Sequence, residues 1–220
     1  DIIWDIIKVG LPASLSMIVM AVGQGVFNKI LVHISVNTVA AYQVAGRLDM
    51  LVFLPIFSIA ASLTTLVGMF YGAKEYGALR YIIKYGIFSA LLITIISSTI
   101  VYTFAGHVVR FFTDDASIVI IAVNFLQIFA FAYPFISVGI TTGRVLQGLG
   151  KGLPVLIITI VRVLGVSAPL ALFFVFIMDK TVEYVWYSMM LSTIVAFGIG
   201  LTWLVSTLKT LPTSGQSLNN

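Results

Sequence analysis

Residues 39–71 read VAAYQVAGRLDMLVFLPIFSIAASLTTLVGMFY. A helix needs about 20 mostly apolar residues to cross a bilayer, and this stretch is longer, with Arg47 and Asp49 as its charged side chains. Pro55 stands near its middle, where proline removes a backbone hydrogen bond and tends to kink the helix. A long apolar segment holding an opposite-charge couple and a mid-span proline reads as a membrane helix with more to do than anchoring.

Five further segments of the same kind flank it, at residues 9–34, 82–105, 117–146, 153–177 and 182–208. Turn-rich or charged breaks separate them: Ser35-Val36-Asn37, Gly72-Ala73-Lys74-Glu75, Thr113-Asp114-Asp115, Gly148-Leu149-Gly150-Lys151-Gly152 and Asp179-Lys180. No ten-residue alternation of the membrane-barrel kind is present. The expected fold is an all-α membrane protein of six transmembrane helices, spanning residues 1–211, with a polar tail over 212–220.

Composition agrees. Of 220 residues, 60% are apolar and 9% are charged, against roughly 45–50% and about 25% in soluble proteins. The mean hydropathy is +1.12. That composition excludes a soluble enzyme and a disordered regulator, and the formal charge of +4, which comes from dispersed bases with no basic stripe, is no sign of a nucleic-acid-binding domain. Cysteine is absent, which removes disulfides, thiolate catalysis and cysteine-held metals.

The first segment follows Asp1 and Asp5 and lacks a small-residue cleavage site, so it does not read as a signal peptide. The chain has no initiator Met, as in a processed chain or a piece of a longer one. Lys8, Lys74, Arg80, Lys84, Lys151 and Lys209 gather at one end of the spans. The positive-inside rule makes that end, and both termini, cytoplasmic. The tail after Pro212 reads as disordered. Residues 106–116 mix Val108, Val109, Phe111 and Phe112 with His107, Arg110, Asp114 and Asp115, which fits a short interfacial helix or a plain loop. Asp114-Asp115 suits an N-cap for the fourth span better than a calcium loop.

Pro134 and Pro169 repeat the mid-span pattern of Pro55, whereas Pro12 and Pro154 fall at expected helix starts. Gly68 and Gly72, Gly139 and Gly143, and Ala196 and Gly200 have the spacing of close helix packing. Polar groups at membrane depth carry the functional reading, because each is costly there. Gln24, Asn28 and Lys29 on the first span lie at a depth similar to Gln43, Arg47 and Asp49 on the second. Arg47 and Asp49 are two apart and point to different faces, so Lys29 is a candidate partner for Asp49. A structural cluster locking two helices and a cation- or substrate-responsive cluster both fit.

Arg162 lies near the middle of the fifth span, and no acidic residue shares its expected depth. The Gly165 carbonyl, freed by Pro169, is one local acceptor. Tyr133, Ser137 and Thr141 form an i, i+4, i+8 stripe beside Pro134, as in a cavity lining or in simple back-bonding to the helix. Met17 and Met20 offer an adaptable wall or plain lipid contact. His33 and His107 lack companions at ligand spacing, and no catalytic or phosphate-binding motif is present. No catalytic residue, metal site or cofactor is expected.

The order of these features carries a resemblance. Gly10-Leu11-Pro12 opens the first span. Val39-Ala40-Ala41-Tyr42-Gln43, Gly46-Arg47-Leu48-Asp49 and Leu54-Pro55 follow, and the second span closes on Val67-Gly68-Met69-Phe70-Tyr71-Gly72-Ala73-Lys74. Phe111-Phe112-Thr113-Asp114-Asp115, Val145-Leu146-Gln147-Gly148-Leu149-Gly150 and the helix from Arg162 to Pro169 complete the series. Over residues 10–208 the chain resembles the C-terminal six-helix lobe of the MATE (multidrug and toxic compound extrusion) family.

The resemblance implies a twelve-helix transporter of two lobes in the plasma (inner) membrane. It implies export of organic, often cationic, drugs or toxins in exchange for H⁺ or Na⁺ by alternating access. The partners are then the lipid bilayer, a small organic substrate and a second lobe, from the same polypeptide or a second copy. Where some members of the family carry acidic residues, this chain has Met20 and Ile136, and Met69 replaces a frequent Gln. A main coupling carboxylate outside this chain, with Asp49 auxiliary, follows from those departures. A lipid-precursor flippase and a non-transporting six-helix scaffold are the alternatives.

Overall fold

The computed structural model describes residues 2–212; Asp1 and the tail from Thr213 onward lie outside the described residues. Among the described residues there is no strand. Six helices are long and apolar enough to cross a membrane. They run Ile2–Ile34, Val36–Gly72, Tyr76–Arg110, Ala116–Gly148, Leu153–Ile177 and Val182–Lys209.

Two of these helices differ from expectation at an end. The first begins at Ile2, so Pro12 lies inside it and not at its start. Ile2, Ile3, Trp4, Ile6 and Ile7 hold no breaker ahead of the proline, and a proline within a helix removes one bond without ending it. Residues 106–116 form no separate interfacial helix: residues 106–110 are the last turn of the third helix, and residues 111–115 are the plain loop. Nothing between Ile82 and Arg110 breaks the helix, and His107 and Arg110 sit in its last turn, where cations favour the macrodipole.

Asp115 is the N-cap of the fourth helix. Its Oδ1 accepts from Ser117 N at 2.8 Å, Ser117 Oγ at 2.6 Å and Ile118 N at 3.4 Å. The Ser117 side chain, then the two backbone N–H groups, hold the Asp115 carboxyl below the usual carboxylate range. A depressed folded value means that the cap contributes fully above the unfolded value and is lost as pH falls through the folded one. Asp115→Ala is expected to lower the thermal midpoint at neutral pH, and Asp115→Asn, an equally good cap, to retain it. Equal midpoints for the parent and the Ala variant would rule the cap out as a contributor.

The second helix packs along the fourth, and the third lies against both. The sixth packs on the fourth, and the fifth bridges the first and the sixth. One core gathers Phe27, Ile30, Leu48, Phe53, Phe125, Tyr133 and Trp186 toward the end that carries residues 111–115. A smaller core of Leu63, Val67, Leu79, Ile83, Leu146 and Leu204 fills the other end. There Arg80 donates from Nη2 to the carbonyls of Leu208 and Leu211, at 3.1 and 3.0 Å, and closes the sixth helix.

Small residues set the tightest crossings, though not all at the expected pairs. A Cβ on Gly148 would stand 2.7 Å from Thr64 O, so the end of the fourth helix rests on the backbone of the second. Gly152 meets main chain alone, with Val9 O at 2.8 Å, Val9 Cα at 2.9 Å and Lys8 O at 3.1 Å from such a Cβ. Backbone cannot rotate out of the way. Gly152→Ala is therefore expected to cost about 1–3 kcal/mol through overpacking, read as a lower thermal midpoint. An unchanged midpoint would show that the first and fifth helices do not meet there.

Pro134 and Pro169 are accommodated differently. Pro134 releases the Ala130 carbonyl, and Ser98 on the third helix donates to that oxygen. Around Pro169 the fifth helix widens into i→i+5 stretches at Val161–Ser167 and Phe173–Ile177. Such widened turns absorb the missing N–H and recur at functional sites.

Candidate functional site

The widened turn of the fifth helix carries Arg162, Val163 and Ser167 to the edge of a cavity of about 190 Å³. Gly23 on the first helix permits this approach: a Cβ there would fall 2.2 Å from Val163 Cγ1. The first helix also supplies Met20, Gln24 and Phe27. The second supplies Tyr42 and Asp49, the fourth Phe125, Phe129 and Ile136, and the sixth Met189, Ser192 and Thr193. The site is assembled from five of the six helices.

Its wall is aromatic. Tyr42 stacks on Trp186, with centroids 5.8 Å apart and planes at 12°. Phe125 meets Trp186 edge-on at 4.8 Å and lies over Phe129 at 4.2 Å. Trp186 is fully buried behind this wall. Aromatic faces present negative quadrupoles, which favour organic cations.

Two charges of opposite sign line the same cavity, Asp49 and Arg162. The Tyr133 hydroxyl donates to Asp49 Oδ1, and Phe53 packs edge-on against the Tyr133 ring at 5.3 Å. The partner of Asp49 is thus Tyr133 and not Lys29. Lys29 is exposed and does not line the cavity. The second and fourth helices form the most extensive packing in the bundle, which brings a phenol to Asp49, whereas the first helix touches the second only lightly.

The stripe Tyr133, Ser137 and Thr141 is fully buried and packs within the bundle, which corrects its reading as a cavity lining. Thr141 Oγ1 donates back to Ser137 O at 2.9 Å. Gln43 and Arg47 share an exposed face of the second helix, one turn apart. Gln24 is exposed and lines the cavity. Asn28 is half-buried, with a buried Oδ1 that has no partner among the described residues.

Of the residues singled out in the sequence, Met20, Gln24, Asp49 and Arg162 converge, and Tyr133 supports Asp49 from behind. The aromatic wall and the hydroxyls of Ser167, Ser192 and Thr193 were not foreseen. Spacing held part of that signal. Tyr42 and Asp49 stand seven apart, and Phe125 and Phe129 four apart, so each pair lies on one helix face. That Asp49 and Arg162 line one cavity was hidden because, at about 1.5 Å per residue, their Cα atoms fall on opposite sides of the bundle's middle.

The chain is similar to known proteins in sequence and in fold. The chain is 28% identical over 167 residues to the probable multidrug resistance protein NorM of Thermotoga maritima, covering 76% of this chain and 36% of that protein. It is 28% identical over 152 residues to the multidrug export protein MepA of Staphylococcus aureus, covering 69% and 34%. The chain therefore spans about a third of the length of these curated relatives. Among solved structures, MATE in the bent conformation matches with a TM-score of 0.86 at 28% identity, over 94% of this chain and 46% of that one. The outward-facing conformation of a multidrug resistance MATE family transporter of the MOP superfamily matches with a TM-score of 0.86 at 28% identity, over 95% and 47%. The MatE family model matches residues 12–173. A match over most of the chain, with the six-helix bundle superposing on half of known transporters, makes this an integral, multi-pass membrane protein that belongs to the MatE family.

Proposed function

We propose that this chain is one six-helix lobe of a secondary active antiporter that exports organic, cationic drugs or toxins in exchange for H⁺ or Na⁺. The observation that carries the reading is the cavity itself: an aromatic wall with Asp49 and Arg162 on its rim. Flat faces of Tyr42, Phe125 and Phe129 suit a planar or quaternary organic cation, and Met20 and Met189 add adaptable surface. The second lobe, from the same polypeptide or a second copy, closes the open side, and rocking between the lobes gives alternating access. The lobes sit in the plasma (inner) membrane, with the Lys-rich end and both termini of this segment in the cytoplasm.

Asp49 and Arg162 balance in formal charge, so the cavity holds no surplus negative charge for a bare cation. That supports a coupling carboxylate outside this chain, with Asp49 in an auxiliary, substrate-facing role. It also weakens the flippase alternative, which needs several cations for phosphate; Lys29 and Arg47 do not line the cavity.

The test is efflux by the full-length protein in proteoliposomes, with an H⁺ or a Na⁺ gradient imposed separately. Accumulation of ethidium, a planar organic cation, is expected under one gradient and is expected to collapse when that gradient is dissipated. Movement under neither would leave a non-transporting scaffold as the better reading.

A further inference from the structure

A second cavity, of about 300 Å³, lies on the far side of the fourth helix from this site. The third and sixth helices both pack on the fourth, and the groove runs between them. Its floor is polar: Asn124 and Gln127 stand three apart on the fourth helix. Its rims are Tyr102 on the third helix and Tyr187 on the sixth, each 47% exposed. No charged residue lines it.

The Asn124 carbonyl oxygen is buried without a partner among the described residues, which leaves its amide nitrogen as the end available to the groove. Gln127 adds a second amide, and the two tyrosines add hydroxyls. The groove thus offers neutral hydrogen-bond donors. Depth says what they meet. At about 1.5 Å per residue, Tyr102, Asn124 and Tyr187 all lie roughly 12–13 Å from the midpoints of their helices, toward the end that carries residues 111–115. The hydrocarbon half-thickness is about 15 Å, so Tyr102, Asn124 and Tyr187 lie near the level of the glycerol esters of a bilayer lipid. Gln127 starts about one turn deeper, roughly 7–8 Å from its helix midpoint. It reaches toward that level because helix side chains tilt to the N-terminal end, which here is the end after residues 111–115. Below them Phe131, edge-on to Tyr102 at 5.6 Å, and Met190 give an apolar track.

We propose that this groove seats a diacyl membrane lipid, with Asn124 and Gln127 donating to its ester carbonyls and one acyl chain lying along Phe131 and Met190. The ligand is bound from the bilayer and is distinct from any solute in the central cavity. Two neutral hydrogen bonds in such a setting correspond to about a tenfold change in affinity.

The test is native mass spectrometry of the full-length protein, delipidated and titrated with diacyl phosphatidylglycerol or with its diether analogue, which lacks the ester carbonyls. One diacyl lipid is expected to bind with at least about tenfold preference over the diether. The double variant Asn124→Leu/Gln127→Leu is expected to lose that preference. Equal binding of the two lipids by the parent protein overturns the proposal, and this arm needs no variant to fold. Retention of the full preference by the double variant overturns it as well.

Discussion

Trp186→Ala is expected to destabilise the protein by about 3–5 kcal/mol, the range for truncating a large buried aromatic. Trp186 is fully buried and is the largest such side chain in the bundle. It ties the sixth helix to the second through Tyr42 and to the fourth through Phe125. Its indole nitrogen is buried without a partner among the described residues, so truncation breaks no recorded hydrogen bond. The loss comes from the cavity left behind and from the aromatic contacts. Trp186→Phe is expected to keep the edge-on packing with Phe125 and recover most of the loss. Thermal unfolding of the purified protein decides it. An Ala variant within about 1 kcal/mol of the parent, the size of an ordinary substitution, would mean that the sixth helix is not held by this cluster.

The second expectation concerns charge balance in the central cavity. Across a space of about 190 Å³, a cationic substrate and one wall charge lie roughly 6–8 Å apart. At an effective dielectric near 20 that is about 2–3 kcal/mol, or roughly 30- to 100-fold in affinity. Asp49→Asn, which keeps an oxygen to accept from Tyr133, is expected to weaken binding of ethidium by that factor. Arg162→Gln is expected to tighten it comparably. The opposite signs separate electrostatics from misfolding, which would weaken both. At saturating drug the Asp49→Asn protein is still expected to carry proton- or sodium-coupled flux. Abolished coupled flux in a folded Asp49→Asn protein would make Asp49 the coupling group and contradict its auxiliary role.

The helices were legible because bilayer thickness fixes their length and the loops break the apolar runs. Asp115 announced itself as a cap. Pro12 misled because its neighbours give it the look of a helix start, while the helical residues ahead of it say otherwise. The Gly148 and Gly152 contacts were read as turn chemistry. Their closeness to Thr64 and Val9 depends on how helices far apart in sequence cross. Asp49 was correctly marked as needing a partner. The identity of that partner, Tyr133, follows from the packing of the second helix on the fourth, which no local pattern encodes. Arg162 was marked by depth alone, and the widened turn that brings it to the cavity arises from how Pro169 is absorbed.

Whether the aromatic cavity lies on the substrate route can be asked with one label. The chain contains no cysteine, and Met20 lines the cavity while remaining 51% exposed. Met20→Cys, in the full-length protein with any cysteines outside this chain replaced by serine, should react with a small maleimide. Ethidium should slow that reaction several-fold while leaving unchanged a control cysteine at Asp114, exposed in the loop before the fourth helix. If ethidium is exported yet both cysteines react at the same rates with and without it, the drug does not pass this cavity.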